Sequence, residues 1–170
     1  NRIGSVKSTQ QLTKAMKMVA AAKLKKAQDK VTELRPYSNK LNEILSNLSG
    51  SINNRLFEKR EVKNTLIIVV ASDKGLCGSF NSNIFKLFNS IAEEKNLNPN
   101  STIIMPIGKK ANDFFKKKNF KLLDEFWTTL NGFSYSDASR IFDYVHKEYL
   151  SKNIDQVYII YNEFKNVAVQ

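Results

Sequence analysis

The sequence predicts an α/β protein in which a long N-terminal helix of coiled-coil type precedes a domain of alternating strands and helices. Three observations carry that prediction. Across residues 19–48, steps of four and three land on Ala20, Leu24, Ala27, Val31, Leu34, Ser38, Leu41, Leu45 and Leu48, apolar at every stop except Ser38. This period of about 3.5 residues lays one narrow seam along a partner helix. From residue 65 onward, short β-branched runs alternate with segments whose apolar residues recur at helical spacing, the order that builds a mostly parallel sheet. Charge divides in the same place: residues 1–40 hold ten Lys or Arg against Asp29 and Glu33, a net of +8 out of +11 for the chain.

With 42% hydrophobic and 25% charged residues over 170 positions, the chain has apolar material for one core plus an appendage. Its longest apolar run, residues 66–71, falls far short of the roughly 20 residues that cross a bilayer. The single cysteine, Cys77, excludes an internal disulfide and a multi-cysteine metal site. The first residue is Asn1 rather than Met, so the lack of a leader says nothing about destination. A cation-rich helix seeks an acidic neighbour, whether nucleic acid, anionic lipid or an acidic protein surface; the plain alternative is a solvated face.

The helix is expected to start near Ser5 or Ser8, either of which suits an N-cap. Between residues 12 and 24 a second apolar row, Leu12, Ala15, Val19 and Ala22, joins Met16, Ala20 and Leu24, interrupted only by Lys14, Lys17 and Lys23. A helix apolar on much of its circumference is enclosed by other protein. Pro36 costs roughly 3 kcal/mol inside a helix, but the seam keeps register on both sides of it, which predicts one continuous helix with a local bend. Ser49, Gly50 and Ser51 mark the expected end, for a rod of roughly 65 Å. Residues 1–52 thus form a helical unit, 53–64 a charged linker, and 65–170 a Rossmann-like α/β domain.

Within that domain, residues 65–72 (TLIIVVAS) read as a buried strand, and Phe80, Ile84, Leu87, Phe88 and Ile91 as a helix. Residues 102–107 form a second strand, 109–118 a short helix and 121–126 a third strand. Tyr135, Ala138, Ile141, Phe142, Val145 and Tyr149 give another helix, 156–161 (QVYIIY) a fourth strand, and 167–170 the beginning of a further strand-like run. The sheet should be covered on both faces. The seam finds no partner between residues 50 and 170.

Candidate chemistry is sparse. Residues 72–79 (SDKGLCGS) sit between a strand and a helix, where α/β folds hold phosphate, yet neither G-x-G-x-x-G nor G-x-x-x-x-G-K-[ST] is met. Asp73, Gly75, Cys77 and Gly78 therefore read as a structural turn, with Cys77 an inert small residue rather than a reactive thiol. His146 reads as a surface or interface histidine, and the adjacent acids Asp124 with Glu125 and Glu93 with Glu94 point apart on regular elements. No catalytic, cofactor-binding or metal-ligating set emerges. The basic helix lacks the interleaved aromatics of single-strand readers, and residues 16–22 are too apolar to lie in a DNA groove, so nucleic acid is not the expected partner.

The run Ile3, Ser5, Val6, Thr9, Leu12, Thr13, Ala15, Met16, Met18, Val19, Ala20, Lys23, Leu24, Lys26, Ala27 and Gln28, followed by Arg35-Pro36-Tyr37, strongly resembles the N-terminal helix of the gamma subunit of F-type ATP synthases. Residues 72–78 with Asn81 and Asn83 resemble that family's second signature. Gly108-Lys109-Lys110 with Phe114, and residues 158–162 with Phe164, match in order and spacing. The similarity spans the whole chain. Lys74 stands where the family often has arginine, and Ser79 and Ala111 where glycine is common. The family also continues with further strands and a long C-terminal helix that pairs with the N-terminal one, and the absence of that partner helix accounts for the orphan seam.

The resemblance implies a rotor shaft in the central stalk of a proton-translocating ATP synthase, with no catalytic site and no cofactor of its own. It implies as partners the α and β subunits of the catalytic head, the epsilon (or delta) subunit and the c-subunit ring. It implies membrane association only through the complex, on the cytoplasmic side of a bacterial plasma membrane or the matrix side of a mitochondrial inner membrane. By the same resemblance Met16, Lys17, Lys23, Lys25 and Lys26 form the β-facing contact zone. The rival reading is a coiled-coil dimer with an α/β nucleotide-binding head.

Overall fold

The computed structural model describes residues 2–48, 54–130 and 132–165. The chain divides into two compact units, residues 1–57 and 58–170.

The first unit is almost entirely helix α1, Arg2–Leu48, 47 residues with Pro36 inside, about 70 Å long at ~1.5 Å per residue. Its start corrects one expectation: Ser5 and Ser8 lie within the helix rather than capping it. Hydroxyl residues are accommodated inside this turn by bonding back along the helix, as the Thr9 hydroxyl does to the Ser5 carbonyl at 3.0 Å and the Thr13 hydroxyl to the Thr9 carbonyl at 2.8 Å. Pro36 removes the donor for the Thr32 carbonyl, but α1 is exposed throughout this stretch, so water can take the vacant acceptor and the helix continues. The expected end at residues 49–51 lies outside the described residues. A short 3-10 turn, Arg55–Phe57, closes the unit.

The second unit runs β1 (Thr65–Val70), α2 (Phe80–Glu94), β2 (Thr102–Ile107), α3 (Lys109–Phe115), β3 (Lys121–Leu122), a 3-10 turn (Trp127–Leu130), α4 (Tyr135–Leu150) and β4 (Gln156–Ile160). The strands form one parallel sheet in the order β3-β2-β1-β4. β1 is central because its continuous β-branched run can be buried on both faces: Leu66, Ile67 and Val69 are fully buried, and Leu66 lies opposite Ile103 on one side and Val157 on the other.

Strand alternation sends Ile67, Val69, Ala71, Ile104 and Ile160 to one face, where they meet Ile84 and Phe88 of α2 and Ala111 and Phe115 of α3. Aromatic rings fill this layer, with Phe85 stacked on Phe114 at 4.1 Å and Phe88 edge-on to Phe115 at 4.7 Å. Leu66, Ile68, Met105 and Ile107 face the other way, toward Phe126, Ile154 and the half-buried Ile141, Tyr144 and Val145 of α4. This second layer is looser: α4 has no buried residue, and an apolar cavity of about 410 Å³ lies between it and Ile68, Ile107 and Val157 of the sheet.

β3 is shorter than the strand expected over residues 121–126, and Pro106 supplies the reason. Odd-numbered residues of β2 turn toward β1, as the bonds Thr65 N–H to Ser101 O and Ala71 N–H to Ile107 O show, and Ile104 turns toward β3, accepting from Leu123 N–H at 2.8 Å. Pro106 is the next β2 residue on that side and has no N–H to donate, so the ladder ends. The chain then leaves the sheet and buries Phe126 beneath α4.

Candidate functional site on the exposed helix

No residue of α1 is buried. Met16 is 65% exposed, Leu34 62% and Leu24 43%, and every seam residue is exposed, the one partly covered residue of α1 being Gln28. Each large seam side chain is worth about 1.5–3 kcal/mol when fully buried, so Leu24, Val31, Leu34, Leu41, Leu45 and Leu48 form a long apolar strip available to a partner. At about 100° per residue, Met16 and Lys23 stand one above the other on the side of Ala20 and Ala27, whereas Lys25 falls on the far side and Lys17 and Lys26 on opposite flanks. The five contact candidates thus ring the helix instead of sharing one face. Among the described residues none of Lys17, Lys23, Lys25 and Lys26 has an ion pair, whereas Lys40 and Glu43 on the same helix are joined at 2.8 Å.

The 72–78 turn is cross-linked from within. Asn81 on α2 accepts the Ser72 amide at 3.0 Å and donates through Nδ2 to the Ser72 hydroxyl at 2.8 Å and to Cys77 Sγ at 3.2 Å. Asp73 Oδ1 accepts the Lys109 amide at 3.0 Å, and the Ser72 carbonyl accepts that of Lys110 at the same distance. Left-handed backbone falls at Leu76 (φ 59°) and Gly78 (φ 58°), not at Gly75. Gly108 has φ 94°, and a Cβ there would stand 2.0 Å from the Ala71 carbonyl oxygen. At the end of β4, Asn162 Nδ2 donates to the Phe80 carbonyl at 2.8 Å. The 72–78 turn, residues 108–110 and Asn162 therefore converge beside the start of α2, at the carboxyl ends of the strands. Elsewhere His146 stacks on Phe142 with ring centroids 5.4 Å apart. Among the described residues no three His, Cys, Asp or Glu gather as a metal site, and no helix is long and apolar enough to cross a membrane.

A family model described as ATP synthase matches residues 1–170. The ATP synthase gamma chains of Chloroherpeton thalassium and Cytophaga hutchinsonii are each 46% identical to this chain, over 98% and 100% of it and 57% and 60% of their own lengths. The chain belongs to the ATP synthase gamma-chain family. It spans somewhat under two thirds of the length of these relatives. Among solved structures, the central stalk and c-ring of Tetrahymena thermophila mitochondrial ATP synthase, determined by electron cryo-microscopy, contains a chain that is similar with a TM-score of 0.64 and 28% identity, over 91% of this chain and 66% of that one.

Within this gamma-family fold the resembling motifs of the domain have a common location, since three of them meet around the first turn of α2. Sequence reasoning missed the residues that hold 58–64. Arg60 and Asp155 form an ion pair with Nε and Oδ1 3.1 Å apart. Neither residue sits in a motif, and 95 positions separate them in the chain; an arginine in an apparently solvated linker was the only signal.

Proposed function

We propose that this chain is the gamma, rotor-shaft subunit of an ATP synthase. Its helix α1 forms one strand of the central coiled coil, and rotation couples proton flow to ATP synthesis or hydrolysis at the β subunits. Beyond family membership, the observation that carries this reading is a helix of 47 residues without one buried side chain, lined by both an apolar strip and unpaired lysines. A shaft inside a collar needs cover on all sides and relief for its charge. In this reading the seam meets a second helix, while Met16, Lys17, Lys23, Lys25 and Lys26 face acidic surface on the β subunits. The base domain meets the epsilon (or delta) subunit and the c-ring, and the whole is held at the cytoplasmic face of a bacterial membrane through the complex.

The 72–78 turn then acts as a joint within the domain. Its polar groups are engaged by Asn81, Lys109 and Lys110, and it holds no nucleotide. Native mass spectrometry of the full-length protein, purified gently from its own membranes, tests the proposal: one copy with three α and three β subunits is expected, and a homodimer free of them would overturn it.

A further inference from the structure

The residues that precede β1 are fastened to the α4–β4 connection by a set of contacts that a linker does not need. Arg60 lies with its guanidinium carbon 3.9 Å from the centroid of the Tyr149 ring. Its Nη2 donates to the Tyr149 carbonyl at 3.0 Å and also to the Ile154 carbonyl, while Nε faces Asp155 Oδ1. The Nε hydrogen is not aimed at that oxygen, so this last contact is Coulombic. The side chains are only 18% and 8% exposed. Asp155 Oδ2 accepts the amides of Lys63 at 3.0 Å and Asn64 at 2.9 Å, and the Asn64 carbonyl accepts in return from the amides of Asp155 at 2.9 Å and Gln156 at 3.3 Å. Charge-assisted bonds in a partly dry setting are the stronger kind, and here they join the entry of β1 to the entry of β4.

We propose that Arg60 and Asp155 form a mechanical anchor. Any load passing along the chain from α1 reaches residues 58–64 before Thr65. With the anchor closed, that load enters the domain at Arg60 and is shared between the start of β4, the end of α4 and β1. With it open, residues 58–64 are free to lift away and the load falls on the first residue of β1 alone. Arg60 is thus a positioning residue for force transmission. A planar cation able to stack on Tyr149, bond two carbonyls and face a carboxylate suits the role, and lysine does not. The mechanical meaning rests on the rotor reading, but the anchor itself does not.

Hydrogen exchange on the full-length protein, wild type against Arg60→Ala and Arg60→Lys, tests the anchor. Faster exchange of the Lys63, Asn64 and Gln156 amides by about tenfold is expected for both variants, with Ile67–Val69 unchanged. Unchanged exchange at Lys63 and Asn64 would overturn the anchor. An equal rise throughout β1, β2 and β4 would overturn it too, by showing that Arg60 serves only global stability. A second measurement fixes the head, attaches a bead to the base domain and records its angular fluctuation. The Arg60→Ala rotor is expected to be at least twofold softer in torsion at an unchanged rate of ATP hydrolysis, and equal stiffness would overturn the mechanical claim. Failure of the wild-type protein to join the head would remove the rotor reading while leaving the exchange result to judge the anchor.

Discussion

Asn81 holds both ends of Ser72: its side-chain oxygen takes the Ser72 amide at 3.0 Å and its amide nitrogen gives to the Ser72 hydroxyl at 2.8 Å. One side chain on α2 thereby ties down the residue at which the chain leaves β1. Asn81→Ala removes these bonds and that to Cys77, and is expected to lower the unfolding free energy by about 1–3 kcal/mol, read by urea denaturation of the full-length protein. Asn81→Asp keeps the acceptor and loses the donor, so it should fall between wild type and alanine.

The glycines of this region separate by geometry. At Gly108 an added Cβ would stand 2.0 Å from the Ala71 carbonyl oxygen and 2.6 Å from Leu130 Cδ1, on backbone at φ 94°. Gly108→Ala is expected to cost about 4 kcal/mol or more. At Gly75 the nearest atom to an added Cβ is Lys110 Cε at 3.6 Å, an ordinary contact with the end of a flexible chain, so Gly75→Ala should change stability by no more than about 0.5 kcal/mol. Thermal unfolding of both variants checks the contrast, and equal losses would refute it.

These positions also indicate what the sequence made legible. β1 and β2 were readable because strands buried on both faces read as continuous, β-branched apolar runs, as 65–70 and 102–107 do. β3 was overread because its length is set by Pro106 on the neighbouring strand, a pairing that no local pattern in 121–126 records. The start of α1 was misplaced because serine suits both a cap and an exposed helical turn. The seam and the basic residues of α1 were visible as periodicity and charge, but Arg60 with Asp155 was not, since a contact between segments so far apart leaves no local trace.

Acid should weaken the domain through identifiable carboxylates. Burial would raise the pKa of Asp155, but the amides of Asn64 and Lys63 and the Arg60 charge outweigh it and hold the group below its ordinary 3.8. Asp137 is held below the ordinary value by the hydroxyl and amide of Ser134, with Arg140 adding to the effect. A carboxylate whose folded pKa is depressed contributes stability that is fully present above its unfolded value and is lost as pH falls through the folded one. The stability curve should therefore drop below about pH 4. Asp155→Asn should be less stable at neutral pH and show a shallower acid drop, measured by urea titrations from neutral to strongly acidic pH.

Phe88 is 1% exposed and sits edge-on to both Phe115 and Phe120. Phe88→Ala should cost about 3–5 kcal/mol. Leu24→Ala on the exposed helix should leave the melting of the isolated chain nearly unchanged yet weaken assembly with a partner helix. Melting curves paired with a co-purification assay distinguish the two.

The proposed electrostatic role of α1 predicts that reversing Lys17 and Lys23 to Glu reduces ATP-driven proton pumping by more than half, followed by quenching of a pH-sensitive dye in membrane vesicles. Pumping at the wild-type rate would remove the charge component of the contact.

The rotor account stands most directly on rotation itself. With α and β subunits fixed to a surface, the full-length protein at their centre and a bead on its base domain, addition of ATP is predicted to turn the bead in one direction in three steps per revolution. A bead that only fluctuates about one angle, in complexes that are hydrolysing ATP, would contradict it.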